Sequence, residues 1–212
     1  MLSWLPNQYN SHTLQNEFPD HMSLCLEKLI WKQRKQCLIL RPSADMADWL
    51  FDPASLTARI VGACKGKFSV KVLSMQRSLP RLDELLALRM RGRNQAVVRQ
   101  VLLYCDDVPL VYARTIIPLT SLRGPLRGLT RLGSKPLGAV LFASPTMRRS
   151  DIEVTLLTPQ HACYDVMQNS GKELIWGRRS VFHLHGRPLL VSEYFLPGIC
   201  AKDLTQRRGE SE

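Results

Sequence analysis

The chain has 212 residues, 45% of them hydrophobic and 22% charged, which suits a single domain with a substantial core. Its 29 lysines and arginines outnumber 18 aspartates and glutamates, and the formal net charge of +11 favours anionic partners. No apolar run is long enough to span a bilayer and the first residues lack the pattern of a secretion signal, so a cytoplasmic protein without stable membrane insertion is expected.

Residues 1–20 show no periodicity and read as an extended lead-in. Residues 21–35 are compatible with a helix carrying Leu24, Lys28 and Trp31 on one side. Residues 44–60 have a helical apolar pattern broken at Asp52-Pro53, because proline disfavours helix in the residue before it. Two short helices joined around residues 51–55 follow, and such a joint suits a mobile cover as well as a plain turn. From Phe68 the period changes to two, with Phe68, Val70 and Val72 alternating against Ser69 and Lys71. Residues 82–90 predict a leucine-rich helix ended by Arg91-Gly92. Residues 97–104 and 111–117 read as a hairpin with a slightly long loop containing Cys105-Asp106-Asp107. A short helix over 123–133 and a helical turn after Lys135-Pro136-Leu137-Gly138 precede three further strands, over 151–157, 179–184 and 189–196. His185-Gly186-Arg187-Pro188 supplies the turn between the last two. The fold class is therefore α+β, one domain built on an antiparallel sheet with helices packed on it.

The six cysteines (Cys25, Cys37, Cys64, Cys105, Cys163, Cys200) are scattered and form no C-x-x-C pair, so they read as reduced packing thiols. The arginines are dispersed, from Arg77 and Arg81 to Arg178 and Arg179, and are not interleaved with exposed aromatics. They read as a solvated basic surface, and no nucleic-acid partner is expected. Arg178-Arg179 itself leaves two options, a solvated turn before a strand or a lining for a ligand. His183 and His185 lack the further ligands that zinc takes, and no metal site is expected. Phosphate-loop, dinucleotide and serine-elbow motifs are missing, and Asp106-Asp107 is a turn feature.

Two charges stand where alternation places apolar residues. In the strand 97–103, Arg99 shares a face with Val97, Val101 and Leu103. In the strand 189–196, Glu193 shares a face with Leu189, Val191 and Phe195. Burying either ion costs several kcal/mol unless something compensates. Alternation leaves open a structural Arg99–Glu193 pair, solvent-facing strands, or a dry pocket. In the pocket reading the arginine clamps a carboxylate and the glutamate meets a hydroxyl.

Five segments in register carry a resemblance: residues 98–103, 113–118, 135–142, 176–180 and 186–197. Over most of the chain, from about Trp49 to Pro197, the sequence resembles the bacterial chorismate pyruvate-lyase family. The resemblance implies helical flaps over an internal site, a monomer, and neither metal nor organic cofactor. It implies conversion of chorismate to 4-hydroxybenzoate and pyruvate, the first committed step towards ubiquinone. By position, Arg99 is similar to the arginine that holds the ring carboxylate and Glu193 to the glutamate at the 4-oxygen. Leu137 falls at a backbone contact to the ligand carboxylate, and Leu56 at a flap position where the family often has methionine. The organisation expected is an N-terminal extension with a helix over 1–43, a chorismate lyase-like catalytic domain over 44–200 and a polar tail over 201–212. The alternative is a non-catalytic sensing domain of the same fold, which in transcription regulators follows a DNA-binding module. The forty-odd residues ahead of the match are too few for such a module.

Overall fold

The computed structural model describes residues 29–39, 41–91, 94–161, 163–167 and 173–200. The lead-in, the first part of the helix expected over 21–35 and the polar tail lie outside the described residues. The remainder of that expected helix is not α-helical. Lys32–Gln33 form a short strand, β1, followed by a 3-10 turn over Arg34–Ile39. Pairing with the sheet edge takes precedence over helical periodicity here, since Lys32 and Gln33 lie opposite Val154 and Glu153.

The other strands are β2 (Phe68–Ser78), β3 (Ala96–Cys105), β4 (Val108–Pro118), β5 (Arg148–Arg149), β6 (Glu153–Leu157), β7 (Ile175–Leu184) and β8 (Arg187–Phe195). Among the described residues they make one antiparallel sheet in the order β1-β6-β7-β8-β4-β3-β2, with β5 on β7. The turns are tighter than the sequence suggests. Asp106-Asp107 alone closes β3 onto β4, with Asp106 at φ 51° and its carboxylate accepting from the Lys67 amide at 2.8 Å. His185 and Gly186, at φ 48° and 71°, close β7 onto β8, so Arg187 and Pro188 belong to the strand. Two successive positive φ angles match the twist of the flanking strands.

The helices are α1 (Ala44–Phe51), α2 (Leu56–Ala63), α3 (Leu82–Ala87), α4 (Leu137–Ala143) and α5 (Cys163–Val166). α1 and α2 separate at residues 52–55, as the Asp52-Pro53 break predicts. Ser43 caps α1 by accepting from the Met46 amide at 3.2 Å, and Ser55 caps α2 by accepting from Ala58 at 3.3 Å. With α4 they cover one face of the sheet, where Trp49, Leu50, Leu56 and Ile60 pack on Val101, Leu103 and Phe195, and Leu137 and Leu141 on Val97 and Val191.

The opposite face holds buried charge. α3 ends at Ala87, shorter than its leucine pattern suggests, with Arg89 turning away at φ 52°. It buries Asp83 and Glu84 and leaves Leu82 and Leu86 exposed. The reason is its partners on the sheet. Glu84 meets Arg114 on β4 at 2.7 Å and Arg81 at 3.2 Å, while Asp83 meets Arg179 on β7 at 2.9 Å and accepts from the Trp31 indole at 2.8 Å. The reading of a solvated basic surface therefore fails for Arg81 and Arg179, and that of a solvated turn fails for Arg178-Arg179. Both Arg178 and Arg179 are buried residues of β7. Gly177 beside them is required by packing, because a Cβ there would stand 2.8 Å from the Tyr194 ring.

The cysteine expectation is also corrected. Cys64, just past α2, and Cys105, at the end of β3, are joined as a disulfide with their Cα atoms 5.7 Å apart. Antiparallel pairing of β2 with β3 brings the start of β2, which follows α2, to the end of β3. Two cysteines 41 residues apart thereby meet.

Two predictions follow from these contacts. Burial alone would raise the Glu84 pKa, but Arg81 and Arg114 outweigh it and hold the carboxyl below its ordinary value. A lowered carboxyl stabilises the fold above its unfolded pKa, and that contribution disappears as pH falls through the folded value. Glu84→Gln is therefore expected to cost about 3–5 kcal/mol in urea unfolding at neutral pH, with the gap from wild type closing on acidification below about pH 4. Cys64→Ser combined with Cys105→Ser, or reduction of the wild type, is expected to lower stability by about 2–4 kcal/mol in the same assay.

Candidate active site

Between the sheet and α2 and α4 lies a cavity with about 520 Å³ of empty space, its open mouth included. Its floor is the face of β3, β4 and β8 that alternation assigns inward: Arg99, Val101 and Leu103, Ala113 and Thr115, then Val191 and Glu193. Leu137, Gly138, Leu141 and Phe142 of α4 wall one side, and Leu56 and Thr57 of α2 close over it. The structure thus brings all four expected site residues, Arg99, Glu193, Leu137 and Leu56, to one cavity.

The register fixes their spacing. Arg99 pairs with Thr115, and Ala113, two residues back along β4, pairs with Glu193. Ideal sheet geometry puts their Cα atoms about 7 Å apart along the strands and about 10 Å across them. Thr115 and Ala113 of the middle strand lie between them, with Val101 and Val191 at the flanking corners.

Arg99 is 2% exposed, and among the described residues no carboxylate pairs with it. Its Nη2 donates to the Gly133 and Lys135 carbonyls at 2.9 and 3.1 Å, in the loop that leads into α4. Nε is buried without an acceptor. Burial with no compensating anion pulls its pKa below the ordinary guanidinium value.

Glu193 sits at the other end with its side chain 18% exposed. Arg99 and Glu193 are not an ion pair. Glu193 Oε2 instead accepts from Arg178 Nε at 2.7 Å, and Oε1 takes no protein hydrogen bond among the described residues. Arg178 also reaches the joint of α1 and α2, where its Nη1 donates to the Trp49 and Asp52 carbonyls at 2.9 Å each. Arg149 on β5 adds a bond to the Pro53 carbonyl at 2.8 Å. Burial and the neighbouring Arg178 lower its pKa, with Glu193 and Asp52 opposing. Arg59 braces the joint from within, bonding Asp48 at 2.8 Å and Asp52 at 3.0 Å while stacked 3.8 Å over Trp49.

A buried arginine and a glutamate thus line one cavity under the α1–α2 cover. The family described as chorismate lyase matches residues 25–205. The chain belongs to the chorismate lyase family. A relative from Methylococcus capsulatus named a probable chorismate pyruvate-lyase is 41% identical over 155 residues, covering 73% of this chain and 96% of its own. One of the same name from Aromatoleum aromaticum is 43% identical over 164 residues, covering 75% and 88%. Among solved structures, a GntR-family transcriptional regulator from Bacillus cereus superposes with a TM-score of 0.48 at 12% identity, over 63% of this chain and 94% of that one.

In this member of the chorismate lyase family, three polar residues at or beside the cavity escape a reading by single strands. Thr57 and Thr115 line it, and Arg178 holds its glutamate. Thr115 could have been found, since it shares a β4 face with Ala113 and Ile117 and lies opposite Arg99. His183 and His185 are not brought to the site, and His185 is a turn residue. Among the described residues no cluster of three or more potential metal ligands occurs.

Proposed function

We propose that this chain removes pyruvate from chorismate, leaving 4-hydroxybenzoate, with Arg99 and Glu193 at the two ends of the substrate. The observation that supports the site assignment is the buried Arg99 guanidinium, which has no carboxylate partner among the described residues and faces the same cavity as Glu193.

Chorismate carries a carboxylate on its ring and another on the enolpyruvyl ether. Arg99, oriented by the two loop carbonyls, offers its guanidinium to the ring carboxylate, and in a site screened from water such a contact is strong. Leu137, in the first turn of α4, adds a backbone contact at the same end, and Leu56 adds one from the cover. A ring held by Arg99 crosses Ala113 and Thr115 between Val101 and Val191, which directs its 4-hydroxyl towards Oε1 of Glu193.

In the reaction the C4 proton leaves, its electron pair completes the aromatic ring, and the C3–O bond breaks. The departing enolpyruvate takes a proton on its methylene carbon and becomes pyruvate. Aromatisation drives the step, so the protein supplies position and electrostatics. Glu193 orients the 4-hydroxyl and stands where a proton leaving C4 can be received. The excess of positive charge draws the dianion inward. Within this reading the chain acts as a monomer in the cytoplasm, and its product enters ubiquinone synthesis. Among the described residues no helix is long and apolar enough to cross a membrane.

The test is incubation of the purified chain with chorismate, followed by ultraviolet absorbance. Appearance of 4-hydroxybenzoate is expected, whereas saturable binding without product would favour a sensing domain. Arg99→Ala is expected to raise KM by about thirtyfold or more, corresponding to about 2 kcal/mol for a buried charge-assisted contact. Glu193→Gln is expected to lower kcat by about a hundredfold with the fold intact by circular dichroism. Normal kinetics in both variants would refute the site assignment.

A further inference from the structure

We propose that Arg178 is a positioning residue that ties Glu193 to the α1–α2 cover, so that seating the cover and setting the carboxylate are a single event. The proposal rests on the assignment of Glu193 above and adds to it a link between that carboxylate and the cover.

The geometry is specific. Arg178 is completely buried and lies directly across from Glu193 in the β7–β8 register, so its backbone belongs to the rigid sheet. Its side chain serves two clients. Nε holds Glu193 Oε2 at 2.7 Å, and Nη1 holds the Trp49 and Asp52 carbonyls at 2.9 Å. Those carbonyls belong to the last turn of α1 and the residue after it, four positions before Leu56, which lines the cavity. Nη2 is buried with no acceptor among the described residues. Among these residues the guanidinium is held by three hydrogen bonds, two of which are lost if the joint lifts.

An unsatisfied buried cation is costly, so lifting the joint forces Arg178 to rearrange, and Glu193 loses the bond that orients it. The reverse also holds, since coupling between two sites is reciprocal. Arg149, bonded to Ser180 Oγ and to the Pro53 carbonyl, is a second strap on the same joint that does not hydrogen-bond Glu193. Lysine cannot replace Arg178, because a single ammonium does not present the planar fork that spans a carboxylate and two carbonyls.

The test uses the full chain with four variants: Arg178→Lys, Arg178→Gln, Glu193→Gln and the double Arg178→Gln/Glu193→Gln. Steady-state turnover of chorismate is read together with amide hydrogen exchange over residues 49–57, with and without 4-hydroxybenzoate. Both Arg178 variants are expected to lose about tenfold or more in kcat with a smaller change in KM. Arg178→Gln is expected to cost less than about twofold when Glu193 is already replaced, because the two act as a unit. In wild type 4-hydroxybenzoate slows exchange over residues 49–57, and the Arg178 variants lose that protection. Additive losses in the double variant, full rescue by lysine, or unchanged protection would each overturn the proposal. If Arg178→Gln does not fold, exchange in Glu193→Gln reads the link from its other end: faster exchange at the joint supports it, and wild-type exchange overturns it. Wild-type kcat in Glu193→Gln would remove the site assignment and this proposal together. Absence of turnover in wild type would refute the lyase reading alone, since the exchange response to 4-hydroxybenzoate still reports on the coupling.

Discussion

Among the described residues one buried cation stands without a carboxylate partner, and it lines the candidate site. Of the arginines that are almost wholly buried, Arg81, Arg178 and Arg179 each pair with a carboxylate, and Arg99 does not. Two loop carbonyls partly satisfy it, which is enough to keep it folded inward and too little to neutralise it. A charge in that state favours an anion by a margin that a paired arginine could not offer. Arg99 faces the cavity that α4 walls and that Glu193 also lines.

The sheet separates two duties by its faces. Towards α1, α2 and α4 it presents apolar side chains, Arg99 and the Arg178–Glu193 pair. Towards α3 it presents Tyr112, Arg114, Arg179 and Tyr194, fixed to Glu84, Asp83 and Arg81. The second set is nearly self-compensating and holds the strands in register. Tyr112 donates to Gln100, which in turn bonds Ser74 on β2 at 2.8 Å. Because side chains alternate, fixing the register on one face fixes the distance between Arg99 and Glu193 on the other.

Much of this was legible in the sequence. Period-two alternation placed Arg99 and Glu193 on apolar faces, and Asp52-Pro53 marked the joint between α1 and α2. Family resemblance, not alternation, suggested what the two charges do. Arg178-Arg179 reads as a turn or a ligand lining, but the pairing of Arg178 with Glu193 escapes the sequence for a reason of register. Its partner depends on where the β7–β8 turn falls, and a turn spread over residues 185–188 breaks the pairing. Placing it on His185-Gly186 alone sets Leu184 against Arg187 and, six residues further along each strand, Arg178 against Glu193. The acid-buried helix α3 was hidden because amphipathic rules send leucines inward, and only the arginines of neighbouring strands reverse that. The disulfide was hidden because nothing local brings positions 64 and 105 together.

That disulfide has a mechanical consequence for the cavity. A rod pinned at one end sweeps an arc, and α2 is pinned at its carboxyl end to the stiff margin of β3. Eight helical residues span about 12 Å, so each degree of swing moves the Leu56 end by about 0.2 Å and the Cys64 end hardly at all. A swing of about 20° would carry Leu56 roughly 4 Å away from Gly138, where Ser55 and Thr57 pack closely. The bridge thus anchors one end of α2 covalently, while its other end is held by hydrogen bonds and packing alone.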